Sequence, residues 1–122
     1  VAKVLKFLVI DDDMAIRKTL SDVLEVKGFE VVSVGTGLEA IDKVKAEDFN
    51  IAIIDIRLPD IKGTEVLKQI KQLKPHINCI IITAYPEEDP GKTLSQGASE
   101  FFIKPIDLDR MLNVIHKMAG GK

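Results

Sequence analysis

Short apolar runs alternate along the whole chain with stretches of helical period, and nearly every run halts at a polar residue. That alternation limits the fold more than any other feature. Val4 to Ile10 is apolar except for Lys6 and runs into Asp11-Asp12-Asp13. From Met14 to Lys27 the period changes, because Ile16, Leu20, Val23 and Leu24 share one face of a helix. Asp13 is placed to cap that helix and Gly28 to stop it. Glu30 to Val34 reads as a second strand. Thr36 to Glu39 matches the T-x-x-E capping box, opening a helix whose expected apolar stripe is Leu38, Ile41 and Val44 and whose end falls near Glu47 or Asp48.

Ile51 to Ile54 is a run of apolar, mostly β-branched residues, the pattern of a strand buried on both faces, and it halts at Asp55. Pro59 forbids a continued ladder, and the turn from Asp60 to Gly63 leads into a helix marked by Val66, Leu67, Ile70 and Leu73 and closed by Pro75. Asn78 to Ile82 is a fourth strand ending at Thr83. Tyr85 to Gly91 is expected to be irregular, since Pro86, Pro90 and Gly91 are poor residues for a helix interior; a short helix is predicted only from about Lys92 to Gln96, stopped by Gly97. Phe101 to Ile103 is a fifth strand ending at Lys104-Pro105. Asp107 then caps a last helix with Leu108, Met111, Leu112, Ile115 and Met118 on its buried face.

Strict alternation of strands and helices implies a parallel sheet covered on both faces. Five such strands suit a doubly wound, flavodoxin-like α/β sheet of order 2-1-3-4-5, with strands one and three adjacent at the switch point. At 122 residues the chain is expected to form one domain over 1–122, with 119–122 a frayed end or the start of a linker. It begins with Val rather than Met, as a trimmed chain would.

The formal net charge of −2 supplies no field that would draw the domain to nucleic acid or acidic lipid. No apolar run approaches the ~20 residues needed to span a bilayer, and the start has no signal-peptide pattern. Cys79, the only cysteine, lies within an apolar run and reads as core filler, which fits a reducing, cytoplasmic setting.

The carboxyl ends of the strands carry the chemistry. They bear Asp11 and Asp12, then Asp55, Thr83 and Lys104, and in this sheet all converge on one rim. Asp55 alone reads as a strand cap, and Lys104 alone as a loop lysine. Gathered together, the carboxylates repel and call for a cation. A few oxygens with room for water and phosphate suit Mg2+ better than Ca2+. Thr83 and Lys104 supply a hydroxyl and an ammonium for phosphate oxygens. A carboxylate nucleophile, a metal, a hydroxyl and a fixed cation make up a phosphoryl-transfer site.

With Leu8-Val9-Ile10-Asp11-Asp12-Asp13, the Asp55 strand followed by Pro59 and Gly63, Ile82-Thr83-Ala84, and Phe102-Ile103-Lys104-Pro105 in this order, the chain resembles the receiver domains of two-component response regulators over essentially its whole length. The resemblance implies that Asp55 accepts a phosphoryl group from a phosphohistidine of a sensor histidine kinase or phosphotransfer domain. It implies Mg2+, with Mn2+ as a substitute, bound directly by Asp12, Asp55 and the backbone carbonyl of Arg57 and mainly through water by Asp11. Thr83 and Phe101 would form the switch, while Asp13 would only cap its helix. A downstream output domain or protein would read the state, with a phosphorylation-dependent dimer as one form of that output; neither nucleic acid nor membrane would be bound directly. Such a domain is no conventional enzyme, but catalyses its own phosphorylation and slow aspartyl-phosphate hydrolysis. Two departures stand out. Pro86, Pro90 and Gly91 fall where the family has its fourth helix, in an interval about one residue short, and bulky Arg57 and Tyr85 occupy positions that tune phosphoryl lifetime.

Three rival readings are weaker. A haloacid-dehalogenase-like phosphatase would use Asp11 and Asp13 but has Ala15 where Thr or Val is expected, and it leaves Asp55 idle. A flavodoxin-like cofactor binder needs a hydroxyl- and glycine-rich first loop, where this chain has three aspartates. A phosphorylation-independent pseudo-receiver would be expected to lack one of the five site residues. His76 and His116 read as surface residues, and Phe101 by spacing alone as core.

Overall fold

The computed structural model describes residues 4–84 and 90–119. These form β1 (Lys6–Ile10), α1 (Met14–Val26), β2 (Glu30–Val34), α2 (Gly37–Ala46), β3 (Ile51–Asp55), α3 (Gly63–Leu73), β4 (Asn78–Thr83), α4 (Pro90–Ser95), β5 (Glu100–Ile103) and α5 (Leu108–Met118). All strand pairs are parallel, and the sheet order is β2-β1-β3-β4-β5, as expected.

The apolar runs have a hidden period of two. Leu8, Ile10, Ala52, Ile54, Cys79, Ile81 and Phe101 face one side, where Ala40, Ile41 and Val44 of α2 and Val66, Leu67 and Ile70 of α3 cover them. Phe7, Val9, Ile51, Ile53, Ile80, Ile82 and Phe102 face the other, under Leu20 and Leu24 of α1 and Met111 and Ile115 of α5. Continuous hydrophobicity is the consequence of a sheet sandwiched between two helical layers.

The helix ends follow their sequence signals. Asp13 accepts from the amides of Ala15 and Ile16, Thr36 from that of Glu39 and Asp107 from that of Arg110. Gly28 and Gly97 leave α1 and α4 with φ of +90° and +114°, angles that glycine adopts without a Cβ penalty.

Some expectations need correction. β1 begins at Lys6, and Val4 is exposed. Leu38 and Leu73 are exposed rather than buried. The inward face of α2 is instead Gly37, Ala40, Ile41 and Val44, and α2 approaches α3 so closely that a Cβ on Gly37 would lie 2.8 Å from Val66 Cγ2. That face is one helical step from Leu38, which therefore turns outward. The fourth helix starts at Pro90 rather than Lys92. Proline is well accommodated in a first turn, where its missing N–H has no intrahelical partner to lose. Tyr85, Pro86 and residues 87–89 lie outside the described residues, as do residues 120–122. Among the described residues, no helix is long and apolar enough to cross a membrane.

Candidate functional site

β1, β3, β4 and β5 deliver their carboxyl ends to one edge of the sheet. Asp11, just beyond β1, is fully buried, and each of its polar groups is engaged. Its amide donates to Val34 O at 3.2 Å, and its carbonyl accepts from Arg17 Nη1 at 2.6 Å. Its Oδ1 accepts from the Asp13 amide at 2.9 Å, and its Oδ2 from Lys104 Nζ at 2.7 Å. Asp12 beside it is exposed.

Asp55 ends β3 and is 4% exposed. Its Oδ1 accepts from the Arg57 amide at 3.3 Å, and its Oδ2 from Lys104 Nζ at 3.1 Å. Gly63 makes this tight exit from the strand feasible: its amide donates to Ile56 O at 2.8 Å, and a Cβ there would stand 2.1 Å from the Asp55 carbonyl oxygen. Thr83 ends β4, fully buried, and its carbonyl accepts from the Lys104 amide at 2.7 Å. The bond ties the lysine backbone to the neighbouring strand end and aims its side chain across the acidic pocket.

The electrostatics follow from this packing. Burial, reinforced by the charge of Asp11, pushes the Asp55 carboxyl up to about 6 from 3.8, against the opposing pull of Lys104 and the Arg57 amide. For Lys104, burial works against the ammonium, but bonding and attraction to Asp11 and Asp55 outweigh it and hold its pKa above the ordinary value. Asp11, Asp12 and Asp55 each offer one carboxylate oxygen, and these oxygens lie within 4.8 Å of one another. An all-oxygen donor set with one exposed member suits a hard divalent cation that keeps some of its water.

The residues singled out by sequence are thus brought together: Asp11, Asp12, Asp55 and Lys104 in one cluster, Thr83 at the adjoining strand end, and Arg57 with its amide on Asp55 and its side chain exposed. Phe101 is buried in β5 opposite Ile81, within the core layer under α2 and α3. Tyr85 is outside the described residues. His76 is exposed and pairs with Asp48 at 2.7 Å. Sequence reasoning missed Arg17, whose guanidinium sits on the Asp11 carbonyl, and Asp60, which binds the start of α2. The signal for Arg17 was its place one residue beyond Ile16 on the first turn of α1; none pointed Asp60 at α2.

A doubly wound sheet that gathers buried aspartates and a lysine at the carboxyl rim of its central strands defines an aspartate-based receiver-type signalling domain. The chain belongs to the response regulator receiver domain family, whose model matches residues 7–116. It is 34% identical over 113 residues to sporulation initiation phosphotransferase F of Bacillus subtilis, covering 92% of this chain and 91% of that protein. It is 37% identical over 105 residues to the transcriptional regulatory protein ZraR of Klebsiella oxytoca, covering 85% of this chain but 24% of that protein. Among solved structures, a CheY-like response regulator receiver domain from Methanospirillum hungatei superposes with a TM-score of 0.92 at 33% identity, covering 97% of this chain and 95% of that one. The response regulator TrrA of Thermotoga maritima, solved in complex with Mg2+-BeF, gives 0.85 at 30% identity, covering 93% and 98%. The chain is therefore a receiver domain of two-component response regulators, a class that switches by phosphorylation.

Proposed function

We propose that Asp55 is the phosphoryl acceptor of this receiver, taking the group from a phosphohistidine on a sensor histidine kinase or phosphotransfer domain. The observation that carries this reading is the Asp55 carboxylate itself, buried at the end of a central strand and hydrogen-bonded by Lys104 at 3.1 Å. An Asp55 oxygen bonds to phosphorus while the P–N bond to the donor imidazole breaks, and the imidazole takes up a proton. Lys104, which bridges Asp11 and Asp55 at rest, is positioned to move onto a phosphoryl oxygen, and the Thr83 hydroxyl to follow. Asp12, Asp55 and the Arg57 carbonyl would hold Mg2+, with Asp11 acting mainly through water; the clustering of the three carboxylates favours an ion here, and the T. maritima relative was solved with Mg2+-BeF. The ion offsets charge on the phosphoryl oxygens.

Phe101, in β5 opposite Ile81, would carry the change to the face of α4, β5 and α5, where an output domain, a downstream protein or a second copy reads it. The chain spans a quarter of ZraR and nearly all of phosphotransferase F. A receiver within a longer regulator and one that makes up nearly a whole protein are both precedents, and in either case our reading is a single receiver over 1–122, with 119–122 a frayed end or the start of a linker. Signalling of this kind would act in the cytoplasm.

Treatment with Mg2+ and acetyl phosphate should add one phosphoryl mass, labile to hydroxylamine, to an Asp55 peptide. Label that persists undiminished in Asp55→Asn would move the acceptor elsewhere.

A further inference from the structure

Asp60 lies in the turn between β3 and α3 and is exposed, yet its carboxylate is firmly engaged. Oδ1 accepts the amide of Gly37 at 2.9 Å and Oδ2 that of Leu38 at 2.8 Å. These are the first two amides of α2, which the helix itself cannot satisfy. The next amide, of Glu39, is taken by Thr36 Oγ1 at 3.1 Å. The start of α2 therefore has two caps, one of its own and one reaching over from the β3–α3 turn. Desolvation works against the Asp60 carboxylate, but the amides of Leu38, Gly37 and Ile61 hold its pKa below the usual value.

The turn also sits directly against α2. A Cβ on Gly37 would lie 2.5 Å from Ile61 Cγ1, so the backbone of α2 lies flush on the residue after Asp60. By contrast α3, which this turn opens, receives no side-chain cap from Lys62. Leu58 and Ile61 are only partly buried, and Arg57, Pro59 and Asp60 are exposed. Besides the Gly63 amide on Ile56 O, which closes the turn, the Arg57 amide on Asp55 anchors it at one end and the Asp60 grip on α2 ties its far side to the neighbouring helix.

We propose that Asp60 is a positioning residue for the metal. By clasping the first two amides of α2 it sets the path of residues 57–60, and with it the direction of the Arg57 carbonyl. A backbone carbonyl has no rotamer with which to adjust, so the route of the chain alone decides where its oxygen points. The inference rests on the reading above that this carbonyl is a metal ligand.

The test is an amide-resolved NMR titration of Mg2+ into the wild-type protein and into Asp60→Ala, Asp60→Asn and Thr36→Ala. Thr36→Ala removes the helix's own cap and leaves the turn untouched, so it reports what loss of α2 stability alone does. In the wild type, the Asp12, Asp55 and Arg57 amides shift on binding. Asp60→Ala weakens Mg2+ by about tenfold, the low end of what loss of a supporting partner costs a metal site. Asp60→Asn, which keeps one acceptor, falls between, and it carries the comparison if the alanine variant folds poorly. Thr36→Ala melts earlier but binds Mg2+ as the wild type does. Unchanged affinity in both Asp60 variants, or equal weakening in Thr36→Ala, overturns the proposal. A wild type whose Asp55 and Arg57 amides ignore Mg2+ removes the metal reading itself and the positioning role with it, and that failure is seen without any variant.

Discussion

Lys104 Nζ stands 3.1 Å from Asp55 Oδ2, although the two residues lie 49 apart in sequence. The same ammonium reaches Asp11 Oδ2 at 2.7 Å. One cation thus serves two buried carboxylates, with exposed Asp12 adding a third negative charge beside them. The pocket is short of positive charge at rest, and the behaviour of the metal-free domain follows from that shortage.

Replacing Lys104 with Met should destabilise the metal-free protein at pH 7.5 by on the order of 3 kcal/mol, because breaking a buried pair leaves charge uncompensated. Mg2+ should restore much of the loss, since the cation answers the same carboxylates. Thermal melts in chelator and in Mg2+ read both effects, and equal melting of variant and wild type in chelator would refute the first.

The raised pKa of Asp55 has a definite sign. The native state holds this proton up to about pH 6, whereas the unfolded chain releases it near 3.8. Between those values the folded protein binds more protons, so stability from this group is present at low pH and lost as pH rises through the window. In chelator at pH 7.5, Asp55→Asn should therefore be more stable than wild type by on the order of 2 kcal/mol. The gap should close toward pH 4. Denaturant titrations across the range measure it, and a gap that widens on acidification contradicts the assignment.

Mg2+ should raise the melting temperature of the unphosphorylated domain, because the ion binds the assembled carboxylates and not the dispersed chain. Asp12→Ala should remove most of that shift, and it should raise the melting temperature in chelator by relieving repulsion. A full Mg2+ shift in Asp12→Ala would place the ion elsewhere.

Phe101 is already buried, packed in one core layer with Ala98 and Ile81. A phenyl ring needs no hydrogen-bond partner inside, as a Tyr hydroxyl would. The ligand-free balance between outward and inward rings should therefore be biased by only about 1 kcal/mol, and beryllofluoride should draw it inward. Hydrogen exchange should change at the end of β4, in α4 and around Phe101, and hardly at all in α2. A largest change in Gly37–Ala46 would mean the signal takes another route.

Much of the fold was legible because it depends on local signals. Halted apolar runs marked each strand, and the caps Asp13, Thr36 and Asp107 marked three helix starts. Alternation of strand and helix led to the parallel sheet, and the residues at its strand ends led to the acidic rim. Where a signal had two readings, packing chose. Leu38 satisfies an apolar stripe but lies outside it, because Gly37 and Ala40 allow α2 to sit closer to its neighbours than a leucine there would. Pro90 reads as a helix breaker yet begins a helix, since a first turn asks nothing of its nitrogen.

The order of residues was enough to determine which side chains end the strands, and hence that Asp11, Asp12, Asp55, Thr83 and Lys104 share a rim. Only the tertiary structure decided what each one touches there. Lys104 bridges two carboxylates, Arg17 holds the Asp11 carbonyl, and Asp60 reaches back to the first amides of α2. Periodicity reports the face on which a residue lies. The reach of a side chain to a distant partner depends on the spacing between elements, and that spacing exists only once both helical layers have packed on the sheet.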